Sequence, residues 1–238
     1  MMHELMDRFA ERSRDVTPAG LHRVARLLYA PVASEPELER LCSSALSTAE
    51  RKRACRFGSA AERSRFVQRR AFRRVCAGLA LGTTDATASC VREIEGGRPY
   101  VPGSPDLWVS FSSCPAGMIG GWSWGRPIGV DIEDEARTVE PLPLARELFS
   151  AAEAEVIACA DPSRRRSTFL RLWTLKEAAL KSIGEGLPLG LAAFEFELEP
   201  ELRIVRTPTG AGAPVHFRAW TAAEPGWRAA VVVDALGH

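Results

Sequence analysis

Apolar positions along the chain recur in two alternating rhythms. Between about 59 and 81, Phe72, Val75, Cys76 and Leu79 fall three and four residues apart, the spacing of an amphipathic helix. Ser59-x-x-Glu62 supplies a capping pattern at its start and Gly82 a stop at its end. Ser47-x-x-Glu50 and Ser150-x-x-Glu153 have the same form, each opening a helix, and a long helix is predicted over about 163–183, ending at Gly184. The charged N-terminal segment predicts another. Between these the pattern shortens to strands at about 21–30, 87–94, 107–112, 118–124 and 128–132. In the tail it does so at 194–198, 202–206, 215–221 and 227–233. Gly96-Gly97, Pro102-Gly103 and Gly125-Arg126-Pro127 punctuate the central run. Strand, helices, strands occurs roughly twice, without a residue-level repeat. The expectation is an α+β fold of two similar halves, 1–125 and 126–238, with a seam near 125–135.

Composition narrows the class. The chain has 238 residues, 46% hydrophobic and 26% charged, which suits one large globular domain or two smaller ones and excludes wholesale disorder. No apolar run approaches the roughly 18 residues of a membrane span, and the N-terminus lacks the apolar core of a secretory signal. The six cysteines (42, 55, 76, 90, 114, 159) never lie closer than 13 residues, and the four histidines lack ligand spacing. Zinc and iron–sulfur sites are disfavoured, the thiols read as reduced, and a cytoplasmic location is expected. A metal here should be a hard cation held by oxygen.

Net charge is +1, yet the charges are segregated. Arg51 to Arg74 contains ten Lys or Arg and one acid, Glu62, whereas Asp131 to Asp161 contains nine acids and two arginines. Either these are two solvated helix faces, or a polyanion is gripped by arginines at one end and by a metal at the other. On the helical wheel Arg65, Arg69 and Arg73 flank the apolar face, while Arg70 and Arg74 point away. Only three of the 31 basic residues are lysine, and two of these, Lys176 and Lys181, lie on one predicted helix. A compact, titratable ammonium in a chain that otherwise uses arginine can matter for chemistry.

Three short motifs could carry that chemistry. In Gly129-Val130-Asp131-Ile132-Glu133, a strand sends both carboxylates to one face, where they can share a divalent cation or simply form a polar strand face. In Trp173-Thr174-Leu175-Lys176-Glu177-Ala178-Ala179-Leu180-Lys181, Glu177 and Lys181 lie four apart beneath Trp173. They form either an ordinary helix pair or a half-buried one that needs a partner. Gly97-Arg98-Pro99-Tyr100 and Phe111-Ser112-Ser113 are either turns or phosphate contacts. Among the arginines, aromatic residues are limited to Phe57, Phe66 and Phe72 and no nucleic-acid motif appears, so nucleic acid is not an expected partner.

Taken in order, these motifs resemble the 4′-phosphopantetheinyl transferases, of the larger single-chain kind with two pseudo-symmetric halves and the active site in the cleft between them. The resemblance runs from about Ser47 to Leu191, and the Trp-x-x-Lys-Glu-Ala segment resembles the subgroup with tryptophan and Lys-Glu-Ala. It implies an enzyme that moves phosphopantetheine from coenzyme A to a serine of an apo acyl or peptidyl carrier protein, releasing adenosine 3′,5′-bisphosphate. By that resemblance Asp131, Glu133 and Glu177 would hold Mg²⁺, Glu177 would take the serine proton directly or through water, and Lys181 and Lys176 would stabilise developing charge. Arg73, Arg98, Ser112, Ser113 and Lys181 would bind coenzyme A, with Arg53 and Arg56 near its adenylate, and Arg65 and Arg69 either assisting or structural. Residues near Trp122, Trp124 and 141–148 would face the carrier, and two halves in one chain make a monomer sufficient.

One position departs from the family pattern. Ser113 stands where the family has a phosphate-binding histidine, which predicts a weakened or rearranged pocket, with a lower KM for coenzyme A in Ser113→His. It also leaves open a coenzyme A-binding homologue with reduced or lost transferase activity.

Overall fold

A computed structural model describes residues 1–85, 89–94, 97–184 and 189–235. The first half runs α1 (Met2–Ala10), β1 (Arg14–Asp15), β2 (Ala25–Pro31), α2 (Pro36–Ser44), α3 (Thr48–Ala54), α4 (Ala60–Leu81), β3 (Arg92–Glu93), β4 (Pro99–Tyr100), β5 (Leu107–Cys114) and β6 (Gly117–Trp124). The second runs β7 (Ile128–Asp134), α5 (Pro141–Leu148), α6 (Ala151–Cys159), α7 (Arg165–Ser182), β8 (Glu195–Glu197), β9 (Arg203–Arg206), β10 (Phe217–Glu224) and β11 (Trp227–Asp234). The fold class is α+β, with sheets ordered β1-β2-β6-β5-β4-β3 and β10-β11-β7 and a separate β8-β9 hairpin. In each half a leading strand is followed by helices and then by an antiparallel hairpin. The hairpin's second strand returns to pair with the leading one, β6 with β2 and β11 with β7.

Alternation along the strands builds four layers. Phe66, Phe72, Val75 and Cys76 of α4 join Leu5 and Phe9 of α1 and Leu38 and Leu41 of α2 over the first sheet. The two sheets meet through Leu27, Tyr29, Ile119, Val130, Ile132, Trp227 and Val231, with the Tyr29 and Trp227 rings stacked at 4.6 Å. On the far side Leu175, Ala178 and Ala179 of α7 pack on Ala230 and Val232. Side chains thus leave β7 alternately toward the other sheet and toward α7.

The helix boundaries follow their capping residues. Reciprocal capping boxes form at Ser47/Glu50 and Ser150/Glu153, Ser59 accepts from the Glu62 amide, and Gly82 ends α4 in the left-handed region at φ 63°. Other expectations need correction. The strand expected over 21–30 begins only at Ala25, because Leu21 and Val24 are held in a turn. Of the strand expected over 87–94, positions 87–88 lie outside the described residues and pairing is confined to Arg92–Glu93. Leu79 is 45% exposed; the last turn of α4 instead packs Ala77, Ala80 and Leu81 toward Leu107 and Val109. Arg74, expected to point away, is buried because α3 covers it: its Nη2 lies 2.6 Å from Glu50. Helices α2 and α5 were not expected: each opens on proline without a side-chain cap, so the Ser-x-x-Glu pattern that marks α3, α4 and α6 is missing.

Candidate functional site

The site begins where α7 touches β7. A Cβ at Gly129 would fall 1.9 Å from the Ala178 carbonyl oxygen, so only glycine lets the helix backbone approach this strand. That contact sets Glu177 and Lys181 beside Asp131 of β7. On the other side of β7 lies β5, whose Ser110 hydroxyl accepts the Val130 N–H at 3.0 Å and so partners a backbone group of an edge strand. Two residues on, the Ser112 hydroxyl donates to Asp131 Oδ1 at 2.7 Å, and the Lys181 ammonium donates to the same oxygen at 2.6 Å.

The remaining Asp131 oxygen, Oδ2, is buried with no hydrogen-bond partner among the described residues. Burial and the nearby Asp131 charge push the Glu133 carboxyl above its usual range, against Arg137, Trp173 and Lys181. Burial likewise raises Glu177, with Asp131 adding to it and Lys181 opposing. Arg137 explains the tryptophan of the motif: it lies 2.5 Å from Glu133 Oε1, and its guanidinium covers the Trp173 ring at 4.7 Å. Among the described residues no cluster of three acidic, histidine or cysteine side chains forms a ready metal cage. A buried carboxylate oxygen without a partner among the described residues, coupled to two glutamates whose pKa burial raises, nonetheless fits a hard cation. Mg²⁺ needs only one or two protein carboxylates when a substrate supplies further oxygens.

Beside this cluster, α4 and β5 enclose a cavity of about 400 Å³ lined by Arg53, Arg69, Arg70, Arg73, Glu93, Phe111, Ser112 and Ser113, among others. Arg73 lies over the Phe111 ring, donates to Glu93 and is lowered in pKa by burial. Arg53 also lines an adjoining cavity of about 610 Å³ with Lys52, Arg56 and Phe57, so Arg56 belongs to the second space. At Ser113 the structure supplies what the sequence lacked: Arg69 Nη1 donates to its hydroxyl at 3.1 Å. Ser112 lines the cavity and also binds Asp131, and so links the arginines to the carboxylate cluster.

Two expected residues stand elsewhere. Lys176 is fully buried on the opposite side of α7, with Nζ 2.6 Å from Glu153 Oε2 and donating to the carbonyls of Leu191 and Phe194. The correction follows from helical phase: a neighbour of Glu177 in sequence points about 100° away from it, here into the core. Arg98 stacks on Trp108 at 4.6 Å, reaches toward Gly184 just beyond α7, and is not among the described residues of the arginine cavity. Sequence reasoning missed Arg70 and Glu93. The wheel had turned Arg70 outward, but its long side chain reaches Glu93 at 3.3 Å; Glu93 carried no motif at all.

A two-sheet α+β protein with an acid–ammonium cluster linked through Ser112 to an arginine-lined cavity has the makings of a phosphate-handling site. Residues 127–232 match the model of the 4′-phosphopantetheinyl transferase superfamily. The chain is 30% identical over 132 residues to a 4′-phosphopantetheinyl transferase of Bacillus subtilis, covering 55% of this chain and 57% of that protein. It is 28% identical over 137 residues to the 4′-phosphopantetheinyl transferase Sfp of Bacillus subtilis strain 168, covering 58% and 59%. With the 4′-phosphopantetheinyl transferase HetI of a Nostoc species the identity is 28% over 193 residues, covering 80% and 77%. The chain thus spans less than two thirds of the length of both Bacillus relatives.

Proposed function

We propose that this protein transfers 4′-phosphopantetheine from coenzyme A to a serine hydroxyl of an apo acyl or peptidyl carrier protein. The serine oxygen bonds to the phosphorus bearing the pantetheine, the bridging P–O bond of the pyrophosphate breaks, and adenosine 3′,5′-bisphosphate leaves. The observation that carries the reading is Ser112, which lines the arginine cavity and binds the carboxylate that also holds Lys181.

Asp131, through its free Oδ2, with Glu133 and Glu177 would hold Mg²⁺, whose charge would offset that of the pyrophosphate. Glu177, with a pKa raised by burial, accepts the serine proton; a carboxylate lifted above its usual range is the stronger base. Lys181 faces the same space and stabilises the leaving oxygen as a compact cation. Arg53, Arg69 and Arg73 hold the nucleotide phosphates, with Arg56 in the adjoining cavity for the adenylate. On this reading residues 1–125 bind the donor and 126–238 carry the chemistry, and one chain suffices. No helix among the described residues is long and apolar enough to cross a membrane. Six free cysteines suit the cytoplasm. Exposed Trp124 and, separately, α5 are the surfaces offered to the carrier.

The test is the intact mass of several apo carrier proteins incubated with coenzyme A, Mg²⁺ and this protein. One added phosphopantetheine per acceptor serine is expected, with Asp131→Ala and Glu177→Ala each slowing transfer by about 10²-fold or more. Coenzyme A binding without any mass gain would replace this reading with that of a binding homologue lacking turnover.

A further inference from the structure

The four arginines of the cavity are not equivalent. Arg70 and Arg73 both reach one oxygen of Glu93, Arg70 at 3.3 Å. Arg69 meets only the Ser113 hydroxyl and the Arg65 carbonyl, and Arg53 stacks on Phe66; neither makes an ion pair among the described residues. Glu93 therefore holds two of the cations, Arg70 lying also 3.8 Å from Glu50, and leaves the other two open.

Little else ties that carboxylate down. Glu93 belongs to β3, a two-residue strand at the sheet edge, and its register partner Pro99 has no N–H to donate to the ladder. Its side chain is 37% exposed, whereas those of Arg70 and Arg73 are 15% and 24% exposed. Among the described residues the carboxylate's only hydrogen bonds go to these two arginines. Carboxylate and phosphate present the same kind of paired oxygen acceptors to a guanidinium and compete for the same N–H groups.

We propose that Glu93 is the resident counter-ion of this cavity: it holds Arg70 and Arg73 while no ligand is bound and is displaced when a phosphate group takes them. Arg53 and Arg69, with no acid to displace, receive the anion first. Glu93 then lowers affinity for phosphorylated ligands while keeping the arginines arranged, and its return favours release of the bound anion. Only the naming of coenzyme A as the natural ligand rests on the function proposed above; the competition itself applies to any phosphate.

Calorimetric titrations with inorganic pyrophosphate and, separately, with coenzyme A test this on the full chain. The proteins are wild type, Glu93→Gln, Glu93→Ser and, as a net-charge control, Glu201→Gln, an exposed acid of the other half. Both Glu93 variants should bind each anion about tenfold more tightly than wild type, the scale of one charge-assisted contact, with Glu201→Gln unchanged. Equal or weaker binding by both variants would overturn the proposal and make Glu93 a positioning residue. Tighter pyrophosphate binding with no coenzyme A binding by any protein would keep the counter-ion and discard the transferase reading. Coenzyme A binding by wild type without a gain in the variants would do the reverse. Failure of every protein to bind either anion would overturn both.

Discussion

On α7 the Lys176 side chain is wholly enclosed, while that of Lys181 stays 31% exposed at the site. Burial lowers the Lys176 pKa, and the Glu153 carboxylate opposes that. Removing the ammonium would leave Glu153, itself only 2% exposed, as an unpaired buried charge. Lys176→Met should therefore cost about 3–5 kcal/mol in urea unfolding, and adding Glu153→Gln should recover part of it. Lys181→Met should cost far less stability and yet slow transfer by about 10²-fold, as loss of a cation at the reacting phosphate would. If the two variants exchanged these effects, the assignment of the lysines would be wrong. Arg69 offers a second contrast. It contacts Ser113 across the cavity, whereas Arg65 does not line that cavity, so Arg69→Gln should raise the KM for coenzyme A about tenfold and Arg65→Gln much less.

Between elements, two contacts hold the site's framework. At Gly129 the helix backbone lies where a methyl group would have to go, and carbonyl and amide atoms of residues 178–182 cannot rotate aside. Gly129→Ala should cost roughly 3 kcal/mol and lower activity with it, because lifting α7 separates Lys181 from Asp131. In the first half, Glu50 closes the capping box of α3 and pairs with buried Arg74 of α4. Burial pushes its carboxyl up, but the hydrogen bonds from Arg74 and the Ser47 amide outweigh this and hold it below the usual 4.5. A depressed folded pKa contributes stability above pH 4.5 that is lost as the pH falls through the folded value. Acid titration of unfolding should show that loss in wild type and a shallower one in Glu50→Gln; identical curves would remove Glu50 from the account. These elements also show what sequence could convey. Capping boxes and the strand Gly129-Val130-Asp131-Ile132-Glu133 are local, and both were legible. Lys176 was misplaced because a motif gives spacing along a helix but not which neighbour buries which face. Glu93 was invisible because its role arises from arginines about twenty positions away in sequence.

Across the whole molecule the net charge of +1 conceals two different electrostatic settings, one around α4 and β5 and one around β7 and α7. The arginine cavity is open to solvent and carries four guanidiniums against one carboxylate, so its pull on a phosphorylated ligand acts over several ångströms of water and is screened by salt. The cluster on β7 and α7 works through contacts of 2.6 and 2.7 Å in a half-buried setting, well inside the screening length of roughly 10 Å at 0.1 M salt. Ser112 joins the two, yet they should respond to ionic strength differently. With carrier protein saturating, raising salt from about 50 to about 300 mM should raise the KM for coenzyme A several-fold and leave kcat within about twofold. In Arg53→Gln/Arg69→Gln the KM should start high and respond less to salt, because the unpaired cations that attract the donor are gone. A salt-dependent kcat with an unchanged KM would mean that the arginines act on the reacting phosphate itself, and that donor binding and chemistry are not divided between the halves.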